Sequence, residues 1–170
     1  MYSTTRPRQP VGWFVAIALL AVAVLGAAAA LPVLVLRNTI TGTATSGYES
    51  SARTAARDGA VALMTLSYRT VDSDMNRVLA LSTGEFRRQY TQSKDTVRTA
   101  VLENKVRSTA QVRSAAVSSA GPKAAVVLIA IDANVRNVKA PSGTTAHYRM
   151  SVTVVPVHGR WLVSKLSYVS

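Results

Sequence analysis

The chain has 170 residues, no cysteine, and 20 Lys and Arg against 8 Asp and Glu, for a formal net charge of +12. That length holds one domain and a short extra element. Disulfides, thiolate metal sites and cysteine nucleophiles are excluded, and the charge directs attention to anionic partners.

Residues 1–10 carry Arg6 and Arg8 and read as a cytoplasmic N-terminal tail. From Val11 to Leu36 there is no charged residue. About 20 apolar residues suffice to cross a bilayer, so residues 11–36 are expected to form a transmembrane helix. Pro32 removes one helix hydrogen bond and marks a kink or an early end, and Trp13 stands where an interfacial aromatic belongs. A cleaved signal peptide is the alternative, with Ala27–Ala30 as the cleavage region. The apolar run continues through Leu36, longer than the roughly 7–15 residues of a signal core. The expected topology is a single-pass cell-membrane protein with its N-terminus inside and its C-terminal domain outside.

Residues 37–47 include the Thr-, Ser- and Gly-rich stretch Asn38–Gly47 and read as a linker. Residues 48–170 form the expected exported domain. Ala52, Ala55, Ala56, Ala60, Leu63 and Leu66 recur at helical spacing, predicting an Ala-rich helix over Tyr48–Tyr68 that packs closely on a sheet. Asp72 is the expected N-cap of a short helix carrying Met75, Val78 and Leu79. Ser82-Thr83-Gly84-Glu85 reads as a capping box with Ser82 as the cap, opening a helix with Phe86 and Tyr90 on one face. A separate helix is expected over about Asp95–Val106.

The pattern then turns to strands. Thr109–Ser118 and Ala124–Asn137 are β-rich, with a turn over Ser119–Lys123. Val126–Ile131 is apolar on both faces and predicts a central strand. Pro141-Ser142-Gly143 reads as a second turn. In Ala146–Val157 the residues Tyr148, Met150, Val152 and Val154 alternate with Arg149, Ser151 and Thr153, a period of two. His158-Gly159 reads as a tight hairpin turn into a last strand, Trp161–Val169. Helices followed by hairpin-linked strands predict an α+β domain whose antiparallel sheet is covered on one face.

The order of these segments, with Val71-Asp72-Ser73-Asp74, Thr83-Gly84-Glu85-Phe86 before Tyr90, Ser93-Lys94, Lys105-Val106-Arg107-Ser108, Tyr148-Arg149 and Gly159-Arg160-Trp161-Leu162-Val163-Ser164, resembles the Mce-associated membrane proteins of actinobacteria. The resemblance implies a cone-like, nuclear-transport-factor-like domain with a curved antiparallel sheet around helices. It also implies a non-enzymatic accessory or scaffold role in an Mce-type lipid-transport complex, with membrane lipids and Mce proteins or a permease as partners. A VirB8-like secretion component and a cone-cavity lipid-binding protein or enzyme are the competing readings.

Candidate chemistry is sparse. The sheet half holds one carboxylate, Asp132, besides His147, Tyr148, His158 and Tyr168. Asp132 stands where the apolar run ends, beside Asn134 and Arg136, and reads as a rim residue paired with Arg. His158 falls in the turn, and His147 shares the outward strand face with Arg149. There is no phosphate loop, HExxH or nucleophile elbow, so no catalytic, cofactor-binding or metal-ligating residue is assigned. Tyr148, Trp161 and Tyr168 among basic residues could serve base stacking. Sheet core and rim are the plainer reading, and export removes nucleic acid as a partner. Arg113, Lys123, Arg136, Lys139, Arg149, Arg160 and Lys165 outweigh Asp132 in this half. Arg136, Lys139 and Arg149 are the candidate interaction surface, against the alternative of a solvated basic face.

Overall fold

The structure, a computed structural model, describes residues 45–169. The expected tail, transmembrane helix and linker up to residue 44 lie outside the described residues. No helix among the described residues is long and apolar enough to cross a membrane.

Helix α1 spans Thr45–Met64, a two-residue strand β1 is Leu66–Ser67, α2 is Val71–Ala80 and α3 is Gly84–Glu103. Strands β2 (Arg107–Ala120), β3 (Ala125–Asn137), β4 (Ala140–Val157) and β5 (Arg160–Tyr168) follow. They form one antiparallel sheet in the order β1-β2-β3-β4-β5. The α+β class and the central place of β3 agree with the sequence pattern. Register shifts in β2 after Val112 and Val117, and between Thr153 and Val154, interrupt the ladders. Such bulges bend a sheet and strengthen its twist.

The core lies between α1 and the inner sheet face. Ala52, Ala56 and Ala60 recur every fourth residue and are fully buried. Their small side chains let α1 approach the strands closely. Gly59 goes further: a Cβ there would stand 2.4 Å from Val163 Cγ2. Opposite them stand Val127, Ile129 and Ile131 of β3, and Met150, Val152 and Val154 of β4, all buried. Every buried hydrophobic residue among the described residues falls between Ala52 and Val163, so this segment contains its own core.

Several local expectations are corrected. The first helix ends at Met64, because Leu66 and Ser67 pair with Ser108 and Arg107 instead. Asp72 is not an N-cap. Thr70 holds that position, and Asp72 lies in the first turn, gripped by Arg98 of α3 at 2.8 and 3.1 Å. The capping box does not form either. The Ser82 hydroxyl donates to the Leu79 carbonyl, and Thr83 precedes the helix without a side-chain cap bond. Docking on the sheet edge takes this segment: Thr83 N donates to Val163 O and Val163 N to Leu81 O. Glu85 instead bonds Arg88 and Gln89.

The two helices expected after Thr83 are one, α3. The polar stretch between them contains no Gly or Pro. Its Thr91 and Ser93 hydroxyls bond back to the carbonyls of Arg87 and Gln89, so they stay within the helix. Pro141–Gly143 is not a turn but the start of β4. The chain reverses earlier, at Val138-Lys139, where Asn137 Oδ1 accepts from the backbone N–H of Lys139 and Ala140 at 2.9 and 2.8 Å. His158-Gly159 is a turn as expected, with φ of 49° and 77°, the two left-handed residues that a tight hairpin requires.

Candidate functional site

Alternation along β3 and β4 sorts the candidates between two faces. On the inner face the titratable groups are phenols. Tyr148 packs against Tyr168, ring centroids 5.7 Å apart, and burial raises the Tyr148 pKa. Tyr90 of α3 is buried beside Phe86, and burial followed by the Asp74 charge pushes it up to about 12. Asp74 is the one buried carboxylate among the described residues, and it is committed to structure. It accepts from the Thr70 hydroxyl at 2.7 Å and the Ser67 backbone N–H at 3.0 Å. These neutral phenols and the bonded Asp74 make no acid–base pair, which needs two groups of separated pKa converging on one point.

Asp132 is not at a strand end. It sits within β3, opposite Gln111 of β2 and His147 of β4, and faces outward. The strand runs on to Asn137 because its inner positions stay apolar: Ala133 and Val135 are buried. Its Oδ2 accepts from Arg113 Nε at 2.6 Å, and its Oδ1 lies 2.6 Å from His147 Nδ1. Arg113, not Arg136, is the arginine partner. The His147 contact, then that of Arg113, lowers the Asp132 pKa. His147 faces out as expected, with 75% of its side chain exposed, and His158 stays in its turn. Asp132, Arg113 and His147 thus form a solvent-facing ion cluster on an uncovered sheet face, without a nucleophile held against the His.

The proposed cationic surface divides. Arg136 stands at the end of β3 and Lys139 in the adjoining turn. Arg149 pairs with Ala130, six positions earlier on β3, which at about 3.3 Å per residue places it roughly 20 Å away along the same face. What register brings beside Arg136 is Arg107, its direct partner across the β2–β3 ladder. Nothing in the sequence alone singles out Arg107. Its signal, a Lys-x-Arg entry to a strand, gains meaning only once the pairing is known.

The comparisons bear on this domain as a whole. The described fold is similar to the periplasmic domain of DotI, with a TM-score of 0.60 at 12% identity, covering 78% of this chain and 99% of that one. It is also similar to CagV, a VirB8 homolog of the type IV secretion system of Helicobacter pylori strain 26695, with a TM-score of 0.57 at 9% identity, covering 72% and 98%. Both likenesses are of fold alone. Among curated relatives, Rv1362c of Mycobacterium tuberculosis is 33% identical over 123 residues, covering 72% of this chain and 56% of the relative. Rv1973 of the same organism, named an outer membrane protein, is 33% identical over 112 residues, covering 65% of this chain and 69% of the relative. The chain therefore spans little more than half the length of the first of these relatives. The match of residues 13–170 to the family described as "Uncharacterized protein Rv1363c/MT1408-like" places the chain in that family.

Proposed function

We propose that this protein is a non-enzymatic assembly scaffold of the cell envelope, an extracytoplasmic domain tethered through residues 11–36 with the N-terminus inside. One observation carries the reading: the inner sheet face is filled by aliphatic side chains and phenols with no acid–base pair among the described residues, while the outer face carries its charged groups uncovered. Such a surface serves docking rather than bond chemistry. The likeness to periplasmic domains of secretion proteins and the envelope name of one relative fit this reading.

The finer reading, from the resemblance in sequence, is an accessory protein of an Mce-type lipid importer. Secretion assembly is the second reading, favoured by the fold likeness to DotI and CagV. Cross-linking the full chain in native membranes, followed by affinity purification and mass spectrometry, separates them. Recovery of Mce proteins with a lipid permease supports the first, and recovery of a secretion ATPase supports the second. If the scaffold reading holds, His147→Ala leaves lipid uptake by a complemented deletion strain intact. Loss of uptake with normal expression and co-purification would overturn it in favour of a catalytic or carrier site.

A further inference from the structure

The geometry points to a docking site for the anionic phospholipid headgroups of a bilayer surface at the end of the domain formed by Arg107, Arg136 and the β3–β4 turn. Register sets Arg107 directly opposite Arg136, and both are exposed. Opposite residues of a ladder hold their Cβ atoms about 4.5–5.5 Å apart, and like charges there repel. Four arginines elsewhere meet carboxylates: Arg98 meets Asp72, Arg77 meets Asp74, Arg88 meets Glu85, and Arg113 meets Asp132. Among the described residues no carboxylate lies within ion-pair distance of Arg107 or Arg136. A phosphodiester between two guanidiniums would remove the repulsion and accept paired N–H bonds from each fork.

The arginines are also positioned. Gly143 of β4, at φ +86°, has no Cβ; one placed there would stand 3.0 Å from Arg136 Cγ and 3.2 Å from its Nε. The missing side chain lets the Arg136 stem lie across the strand. The Arg107 guanidinium lies 5.4 Å from the centre of the Tyr68 ring, and that of Arg69 5.6 Å from the same centre. Arg69 Nε donates to the Tyr68 hydroxyl at 3.1 Å, so another cation stands at this corner.

Two aliphatic side chains favour a bilayer as the anionic partner. Val138 at the tip of the turn is 54% exposed, and Leu102 in the last turn of α3 is 38% exposed. The Val138 backbone N–H donates to Asn104 O at 3.1 Å, which ties the hairpin tip to the end of that helix. Exposed aliphatic residues among cations suit the headgroup–acyl boundary, where apolar burial and attraction to anionic lipid add.

The proposal rests on the envelope reading but not on the identity of the assembly, and its bilayer surface is one that faces the end of the domain opposite the start of α1, where Tyr48 packs on Trp161. The test uses the segment from Thr45 to Ser170, sedimented with phosphatidylcholine vesicles made with and without phosphatidylglycerol. The segment binds the phosphatidylglycerol vesicles, and added salt weakens the binding. Arg136→Glu lowers vesicle affinity about tenfold or more, yet does not lower the melting temperature, because it replaces a repulsive cross-strand pair by an attractive one. Val138→Ser weakens binding with melting unchanged, and Arg160→Glu, on the hairpin at the opposite end of β4, leaves binding intact. Equal sedimentation with both vesicle types, none with either, or undiminished binding by a folded Arg136→Glu would overturn the proposal. An importer or secretion complex recovered from membranes would still support the scaffold reading after such a failure, so the two fall separately.

Discussion

Neighbouring residues of β3 live in different worlds. Ile129 is 2% exposed against α1 and β4, while Leu128, one position earlier, is 45% exposed on the uncovered side of the same strand. The inner face is specified many times over, by every second residue of three strands, and is filled almost wholly by apolar side chains of fitting size. The outer face is specified by almost nothing in packing, so it is where charge and chemistry are free to vary. The fold is written on one side of the sheet, and the other is left free to vary.

The largest effect expected tests that contrast directly. Ile129→Ala removes a fully enclosed side chain and should destabilise the segment from Thr45 onward by about 2–5 kcal/mol, the usual transfer and cavity cost. Leu128→Ser, next to it, should stay within about 0.5 kcal/mol. Urea titrations of the two variants decide it. Comparable midpoints would mean that the outer face is covered in the free domain.

Next in size is the contact that brings α1 onto the sheet. Gly59→Ala sets a methyl 2.4 Å from Val163 Cγ2, and Val163 is a stiff, buried, β-branched residue that cannot swing away. Overpacking costs about 1–3 kcal/mol, and the better helix propensity of Ala returns up to about 1 kcal/mol. The net change should be destabilising. Val163→Ala should also destabilise, yet the double variant should be more stable than the sum of the two predicts, since each relieves the other. Strict additivity in denaturant unfolding would place the helix farther from β5 than this contact requires.

The same division explains what could be read without coordinates. The inner face was legible: Tyr148, Met150, Val152 and Val154 announce their strand by alternation, and Ala52, Ala56 and Ala60 announce a close-packed helix. The His158-Gly159 turn was legible because two adjacent residues carry its geometry. What failed depends on distant partners. Ser82 and Thr83 look like a helix cap but are drawn to Val163 of β5. Asp72 looks like a cap but meets Arg98, 26 residues away. Asn137, not Pro141–Gly143, turns the chain, because its side chain bonds two backbone N–H groups locally. For the site the loss is greater. The sequence points to Arg136 and Lys139, but the neighbour that gives Arg136 meaning is Arg107, and only register reveals it. In sequence Asp132 reads as a rim residue, because outward polarity after Ile131 resembles the end of a strand.

The smallest effect concerns the outer cluster itself, and its sign is fixed by the charge. The Asp132 carboxyl pKa is lowered by the contact with His147 and then by Arg113. A carboxyl with a lowered folded-state pKa binds fewer protons in the native state than in the unfolded chain between the two pKa values. Its contribution to stability is therefore fully present above the unfolded value of about 3.9 and is lost as pH falls through the folded one. Asp132→Asn removes that contribution, so the variant should melt slightly below the parent at neutral pH. The gap should narrow below about pH 4 and close once the parent carboxyl is protonated. Added salt should narrow it too, because the cluster faces solvent. The shift should be small beside that of Ile129→Ala, and lipid uptake should survive it. Thermal melts of both proteins across this range check the sign. A gap that widens toward acid would mean that the carboxyl is held protonated in the fold. It would then donate to His147 instead of accepting from it, and the outer face would carry the tuned acid that the inner face lacks.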